Sequence, residues 1–504
     1  MSGNFKQRFG LIGVPMLAAA VWTLCDLDPA NPNVTRMAAV AVLMAGWWIT
    51  EAIPIPATAL LPVALFPLLG VMKGREVAGA YFNHVIFLFI GGFIMALAMQ
   101  RWNLHRRIAL RILLLIGAGP RRIVLGFMVA TAFLSMWISN TATTMMMVPI
   151  ALAVIIKLKE STEGVGMNRF STGLLISIAY AASIGGIATL IGTPPNLSFT
   201  RIFNIYFPNA PEISFAGWFM FGLPCSLVFL LIAWLLITSF FIKRSEVGAT
   251  DAGLFKQELK RLGSMSFEEK IVMALFVLMT LLWLFRKSID IGGLTIPGWS
   301  AILPEPGYID DGTIAIVIAL LMFVIPARTT RGQRLMNWET AKKLHWGIVL
   351  LFGGGFALAG GFKASGLSVW VAAQMTSLDS VSPFYLVAST CATLTFLTEL
   401  TSNTATTEMV LPLLGSLAVA IKTNPLLLMI PATLSASCAF MLPVATPPNA
   451  IVFGSGEVKM SDMVRIGIIM NLIGVVLITL LVYLLGPVVF EINLTRMPNW
   501  ATAG

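Results

Sequence analysis

A membrane-crossing helix uses about 20 apolar residues, and residues 123–156 form an apolar stretch too long for one crossing and too short for two. Arg121 and Arg122 precede it, and Lys157 and Lys159 follow it. Lys and Arg concentrate in cytoplasmic loops, so both ends are expected on that side. At its middle lies a small polar hexamer, Ser139-Asn140-Thr141-Ala142-Thr143-Thr144. The stretch reads as a re-entrant hairpin whose polar tip stops inside the membrane. Non-helical backbone survives at that depth only where protein shields it or where it lines a wet cavity. The tip is therefore a candidate site.

The composition admits this reading and excludes a soluble one. Of 504 residues, 57% are hydrophobic and 11% charged, against about 25% charged in soluble domains. The net charge of +10 suits a nucleic-acid binder only superficially, because the basic residues cluster in particular loops. That distribution sets membrane topology, and no nucleic-acid partner is expected. The polar start Met1–Arg8 is short and no small-residue cleavage site follows the apolar run from Leu11 to Cys25, so this run is expected to be a retained helix. Cys25, Cys225, Cys391 and Cys438 lie scattered in apolar context without metal spacing and read as small hydrophobes.

Apolar spans fall at 9–26, 36–50, 53–72, 80–100, 172–210 with a break, 216–242, 269–286, 312–326, 345–362, 426–457 with a break, and 464–490, with hairpins at 123–156 and 384–421. The loop holding Arg101, Arg106, Arg107, Arg111, Arg121 and Arg122, the connection 243–270 and the segment Arg328 to Lys343 are basic and expected to be cytoplasmic. The segment 26–35, with Asp26 and Asp28, and the acid-leaning 288–311 are expected outside. The expected fold is an all-α polytopic membrane protein of about eleven transmembrane helices plus two re-entrant hairpins, with the N-terminus cytoplasmic and the C-terminus outside.

The chain repeats itself. Leu88-Phe-Ile-Gly-Gly-Phe93 matches Leu351-Phe-Gly-Gly-Gly-Phe356, and at the same spacing the hexamer recurs unchanged as Ser402-Asn403-Thr404-Ala405-Thr406-Thr407. After each hairpin comes a second shared motif, Gly192-Thr193-Pro194-Pro195-Asn196 and Ala445-Thr446-Pro447-Pro448-Asn449, with extra residues around Lys159 to Asn168 shifting the first copy. An odd number of crossings separates equivalent points, so the copies are expected to form an inverted repeat, as in many secondary transporters. The expected divisions are an extra N-terminal helix in 1–35, a first repeat 36–242, a cytoplasmic linker 243–268, a second repeat 269–490 and a short C-terminal tail 491–504.

These motifs suit ions. At a hairpin tip one arm offers free backbone N–H groups and the other free carbonyls. N–H groups and hydroxyls hold a carboxylate, while carbonyl, hydroxyl and amide oxygens hold a hard cation such as Na⁺. One Ser-Asn-Thr run is ordinary helix capping; an identical hexamer centred in each of two hairpins is not. Paired prolines break a helix and leave the carbonyls of Gly192 and Ala445 available as ligands. No Arg or Lys occurs in either tip or break, so a dianion there depends on helix ends, hydroxyls and bound cations.

The paired tips, the paired Thr-Pro-Pro breaks and the run Trp47-Trp48-Ile-Thr-Glu-Ala52 resemble the divalent anion:sodium symporter family, from about residue 36 onward. The resemblance implies a homodimer in which each protomer moves a transport domain against a scaffold, an elevator-type transporter of di- and tricarboxylates. It implies that substrate carboxylates meet Ser139, Asn140, Thr141, Ser402, Asn403 and Thr404, with Thr193, Thr446 and Pro447 completing the site. One sodium site would use Ser135, Ser139, Asn140 and the Gly192 carbonyl, the other Thr398, Asn403 and the Ala445 carbonyl. Sodium is then a coupling ion, and no other cofactor is expected. The expected activity is Na⁺-coupled uptake of a C4-dicarboxylate (succinate, malate or fumarate) in a bacterial inner membrane. A sodium-independent di/tricarboxylate exchanger and a sulfate transporter stay open as alternatives.

Glu399 and Glu408 flank the second tip where the first half has Met136 and Met145. An intramembrane acid is a functional candidate: these bind a cation, carry a proton, repel a mis-charged substrate, or simply anchor the hairpin. His84, His105 and His345 sit near span ends and read as interfacial. An intramembrane enzyme needs paired acids, a His-rich helix or a nucleophile beside a base; the chain offers only Asp310-Asp311, in an outer loop. A channel suits inverted repeats with broken helices less well than alternating access does.

Overall fold

The computed structural model describes residues 2–117, 119–161, 167–242, 253–291, 294–330 and 332–502. Parts of two expected segments, 162–166 of the first-half insertion and 243–252 of the linker, lie outside the described residues. The described chain is helical apart from a short antiparallel hairpin, β1 (Ile289–Ile291) with β2 (Leu294–Ile296), and an isolated bridge.

Helices α1 (Ser2–Leu24) and α2 (Pro32–Thr50) pack side by side, and the Trp47 indole donates to the Gly10 carbonyl. The single span expected over 53–72 is not one helix. It divides into α3 (Ile55–Thr58) and α4 (Leu61–Leu68), followed by α5 (Gly74–Ala80). Hydropathy registers the apolar residues but not Pro54, Pro56, Pro62 and Pro67, each of which removes a backbone donor and restarts or ends a turn.

A second departure follows α6 (His84–Arg101). The basic loop expected there holds α7 (Leu104–Ile116). Its buried face runs through Leu104, Arg107, Leu110 and Leu113, so an arginine on the apolar stripe disguised the amphipathic pattern. Arg107 is neutralised by a partner distant in sequence. Its fork meets both Glu269 carboxylate oxygens, at 2.9 and 3.0 Å, and the Gly263 carbonyl at 2.9 Å. Glu269 also closes a capping box with Ser266 at the start of α14 (Phe267–Leu284). Breaking such a buried pair by removing one partner costs about 3–5 kcal/mol, so this contact pins α7 to α14.

The first hairpin is α8 (Pro120–Ser135) and α9 (Asn140–Ser161). Helix α9 by itself has 20 residues, Asn140–Lys159, of length and apolarity enough to cross a membrane. Helix α10 (Met167–Gly186) is the centre of the molecule, buried continuously from Phe170 to Gly186 and packed on α8, α9 and α12 (Phe215–Phe241). Between α10 and α11 (Pro194–Tyr206) the chain is non-regular, as the first Thr-Pro-Pro motif leads one to expect. After α13 (Gly253–Arg261) and α14, the acid-leaning segment is built into an ion cluster. Arg286 meets Asp311 at 2.7 Å and Glu212 at 2.5 Å, while Lys287 meets Glu212 at 2.6 Å. Burial pushes the Glu212 carboxyl up, but Arg286 and Lys287 outweigh it and hold the group below the usual range. Asp310 caps α15 (Asp311–Val324) and Asp311 is buried against Arg286, so neither is a pair of acids free for chemistry.

The second half continues with α16 (Trp338–Ala341), α17 (Trp346–Ser365) and α18 (Leu367–Gln374). Its hairpin, α19 (Pro383–Leu397) and α20 (Asn403–Ala420), is followed by α21 (Leu426–Ser435), a non-regular stretch and α22 (Pro447–Gly454). The order hairpin, helix, break, helix thus recurs. Helix α23 (Met460–Val489) and α24 (Asn499–Thr502) end the chain. The tail does not hang free: the Trp500 ring packs 5.4 Å from Phe203 and 5.5 Å from Phe207.

Six helical stretches are long and apolar enough to cross a membrane among the described residues, at Lys6–Leu24, Gly74–Arg101 (α5 and α6 taken together), Asn140–Lys159, Phe215–Phe241, Trp346–Ser365 and Met460–Val489. The halves interleave: α11 packs on α17, α20 and α21, α22 on α9 and α10, and α12 on α23. Most buried residues form one core, while a smaller one gathers Met37, Met44, Trp48, Phe66 and Tyr81 with Leu351, Leu358, Phe362 and Ala405.

Candidate functional site

Both tips and both breaks line one cavity of about 780 Å³. Every candidate substrate residue is there: Ser139, Asn140, Thr141 and Thr193 from the first half, Ser402, Asn403, Thr404, Thr446 and Pro447 from the second. Gly192 and Ala445 line it too, whereas Ser135 and Thr398 stand just behind the wall, fully buried. The volume falls in the usual range for small-ligand sites, about 300–1,000 Å³.

Local sequence explains why helix ends meet here. Helices α9 and α20 begin at Asn140 and Asn403, with Ser139 accepting from the Ala142 N–H at 3.3 Å. Helices α11 and α22 begin at Pro194 and Pro447, with Thr193 and Thr446 at the N-cap positions; the Thr446 hydroxyl accepts from the Asn449 N–H at 3.4 Å, while Thr193 makes no such side-chain bond. Proline suits these first positions because its missing N–H is one the helix cannot use. Four helix N-termini therefore present their positive ends to one space. At α11 and α22 the prolines leave few N–H groups, so the Thr193 and Thr446 hydroxyls are the polar groups on offer there.

Behind each tip sits a matched oxygen cluster. The Ser135 hydroxyl lies 2.6 Å from Asn140 Oδ1 and 2.7 Å from the Ala182 carbonyl. In the second half, the Thr398 hydroxyl lies 2.6 Å from Asn403 Oδ1 and 3.0 Å from the Ala436 carbonyl. A hydroxyl has one proton and cannot satisfy two acceptors at once, so each cluster holds surplus lone pairs, as a hard cation requires. Gly186 and Gly192 make room in the first half: a Cβ on Gly186 would sit 2.7 Å from Asn140 Oδ1 and 3.1 Å from the Gly192 carbonyl. Asn196 and Asn449 tie the breaks down, their amide nitrogens donating to the Thr189 carbonyl at 2.7 Å and to the Ala439 and Leu442 carbonyls at 3.1 Å.

Glu399 and Glu408 part company. The Glu399 carboxylate accepts from the Phe440, Met441 and Leu442 backbone N–H groups at 2.7, 2.8 and 2.9 Å and from the Asn471 amide at 2.8 Å. It anchors the second break. Glu399→Ala orphans those buried donors at about 1–3 kcal/mol each, so the variant is expected to lose folded yield and melt well below the parent by fluorescence-detected thermal unfolding. An unchanged midpoint would remove the anchoring role. Glu408, fully buried in α20, accepts from the Ser198 hydroxyl of α11 through one oxygen, while the other has no hydrogen-bond partner and faces Gly355 of α17. Any side chain on Gly355 would collide with it. Glu408 is not part of the cavity wall.

Several wall residues escaped the sequence reading. Phe93 and Leu351 line the cavity, and both belong to the repeated Leu-Phe-x-Gly-Gly-Phe motif, so the signal was present as a repeat without a role attached. Ile191, Ile348, Leu400, Thr401 and Val444 also line it. Lys6 and Glu51 are the charged groups of the described wall, both exposed. The tips and breaks themselves carry no fixed charge, as their sequence requires.

Residues 9–492 match the family model described as the sodium:sulfate symporter transmembrane region. The chain is 43% identical over 503 residues to the sodium-dependent dicarboxylate transporter SdcS of Staphylococcus saprophyticus, covering 98% of this chain and 94% of that one. To the Staphylococcus aureus protein of the same name it is 46% identical over 499 residues, covering 97% and 93%. In fold it resembles the YdaH transporter of Alcanivorax borkumensis, with a TM-score of 0.56 at 13% identity over 89% of this chain and 98% of that one. MtrF of Neisseria gonorrhoeae, described with a class of antimetabolite efflux pumps, gives a TM-score of 0.56 at 14% identity over 93% and 96%.

Proposed function

The chain belongs to the family of the sodium:sulfate symporter transmembrane region, and from that premise we propose that it imports C4-dicarboxylates such as succinate, malate and fumarate by sodium symport. Membership makes it a transporter of the membrane and not an enzyme. The dicarboxylate assignment draws on the named activity of the staphylococcal relatives.

One observation carries the reading: the duplicated neutral tips and breaks share a cavity on which four helix N-termini converge. Helix ends and the hydroxyls and amides of Ser139, Asn140, Thr141, Ser402, Asn403 and Thr404, with Thr193, Thr446 and Pro447, hold the two carboxylates. Sodium occupies the oxygen clusters behind them, one around Ser135, Ser139, Asn140 and Gly192, the other around Thr398, Asn403 and Ala445. Burying a dianion without counter-charge is costly; cations loaded first reduce that cost, and this links the two fluxes.

In this reading the α8–α9 and α19–α20 hairpins are re-entrant, the repeats are inverted, and about eleven crossings place the N-terminus in the cytoplasm and the C-terminus outside. Repeat 36–242 and repeat 269–490 flank the linker 243–268, preceded by the helix of 1–35 and followed by the tail 491–504. Lys6, Gln7, Thr50 and Glu51 at the cavity then make it open inward. The transport domain moves by an elevator motion in a homodimer of a bacterial inner membrane.

Radiolabelled succinate uptake into proteoliposomes tests the reading. An inward Na⁺ gradient is expected to drive accumulation, with fumarate and malate competing better than citrate or sulfate. Equal accumulation in choline, or counterflow without Na⁺, would replace symport by exchange.

A further inference from the structure

Where α10, α12 and α23 end together, a cleft of about 390 Å³ opens, away from the transport cavity. Arg169, Lys459 and Arg465 line it, all exposed, with Asp462 the acid among them. None of the three cations is in an ion pair with a described residue, and the neighbouring Lys159–Glu457 pair is closed on itself at 2.7 Å. Among the described residues the cleft lining therefore holds three cations against one acid, with the first turns of α10 and α23 adding their helix-end potential.

Phe240 organises this charge. Its carbonyl accepts from Arg169 Nη2 at 2.5 Å, and its ring lies 5.9 Å below the Arg465 guanidinium. Both arginines are thus set at the rim by one aromatic residue while keeping other N–H donors open. Below Arg465, on the same face of α23 at helical spacing, run Ile468, Leu472 and Val476, which are 41%, 54% and 58% exposed. A cationic cup at the end of a helix long enough to cross a membrane, continued by a bare apolar stripe, has the shape of a lipid. The cup takes a negatively charged headgroup and the stripe takes an acyl chain.

We propose that this cleft binds the phosphate headgroup of an anionic phospholipid, with one chain lying along α23. The helix ends and charges that form the cleft stand apart from the substrate cavity, whatever the transporter carries.

The test uses the full-length purified protein in detergent, with phosphatidylglycerol and phosphatidylcholine of identical chains competing in native mass spectrometry. Phosphatidylglycerol is expected to be preferred by the parent. The triple variant R169Q/K459Q/R465Q is expected to lose about tenfold in that preference or more, since each basic group near a membrane surface contributes several-fold in affinity. D462N is expected to strengthen it, a gain that a misfolded protein cannot produce. Preference unchanged in the triple variant and in D462N would overturn the proposal. So would inorganic phosphate at millimolar concentration displacing phosphatidylglycerol completely, because the cleft would then be a free-anion site.

Discussion

Replacing Na⁺ by choline is expected to weaken succinate binding to the purified protein by about 100-fold, the upper part of the range for coupled sites. The described cavity wall offers the substrate no fixed cation beyond exposed Lys6, and four helix ends with a handful of hydroxyls compensate only part of a dianion's desolvation. The clusters at Ser135–Asn140 and Thr398–Asn403 are shared structures, since each Asn reaches both its hydroxyl partner and the cavity. In the proposed mechanism, filling the cluster orients the tip that meets the carboxylate, and linkage then requires succinate to tighten Na⁺ by the same factor. Calorimetric titration in both salts measures both directions. Affinity indifferent to the cation would sink the coupling mechanism.

The next largest effect is expected from Asn140→Ala and Asn403→Ala. Each removes an amide oxygen 2.6 Å from the buried hydroxyl behind its tip and a group that opens each hairpin's second helix. Loss of a directly supporting ligand or orienting partner commonly lowers metal-site affinity about 10–100-fold. Each variant is expected to raise the Na⁺ concentration for half-maximal uptake by that factor, and the double variant to abolish uptake. Near-symmetric shifts would follow from the matched geometry. A variant with normal Na⁺ dependence but weak succinate affinity would confine that Asn to the substrate. Normal values for both would remove it from the site.

How much of this was legible in the chain depends on what kind of signal each feature left. The tips and breaks stood out because Ser, Asn, Thr and paired prolines inside apolar stretches have no solvent to explain them, and repetition removed the remaining ambiguity. The helix pairs that carry the tips run over 120–161 and 383–420. Helix α7 was missed because Arg107 occupies its buried face and its partner, Glu269, is remote in sequence. The expected helix over 53–72 failed because a hydropathy average is blind to proline. Glu399 and Glu408 looked alike from their neighbours; only the fold reveals that one meets a row of backbone N–H groups and the other a lone Ser198 hydroxyl.

The smaller core has a consequence for how the protein is made. Met37, Phe66 and Tyr81 leave the ribosome early, but the Leu351, Phe362 and Ala405 side chains that cover them come from far later in the chain. A nascent first half must therefore wait in the bilayer with part of its packing surface unclosed. Long-range closure of that kind is slow and invites wrong partners. Biogenesis, more than thermal unfolding, is where a lesion in α17 or α20 will first be felt.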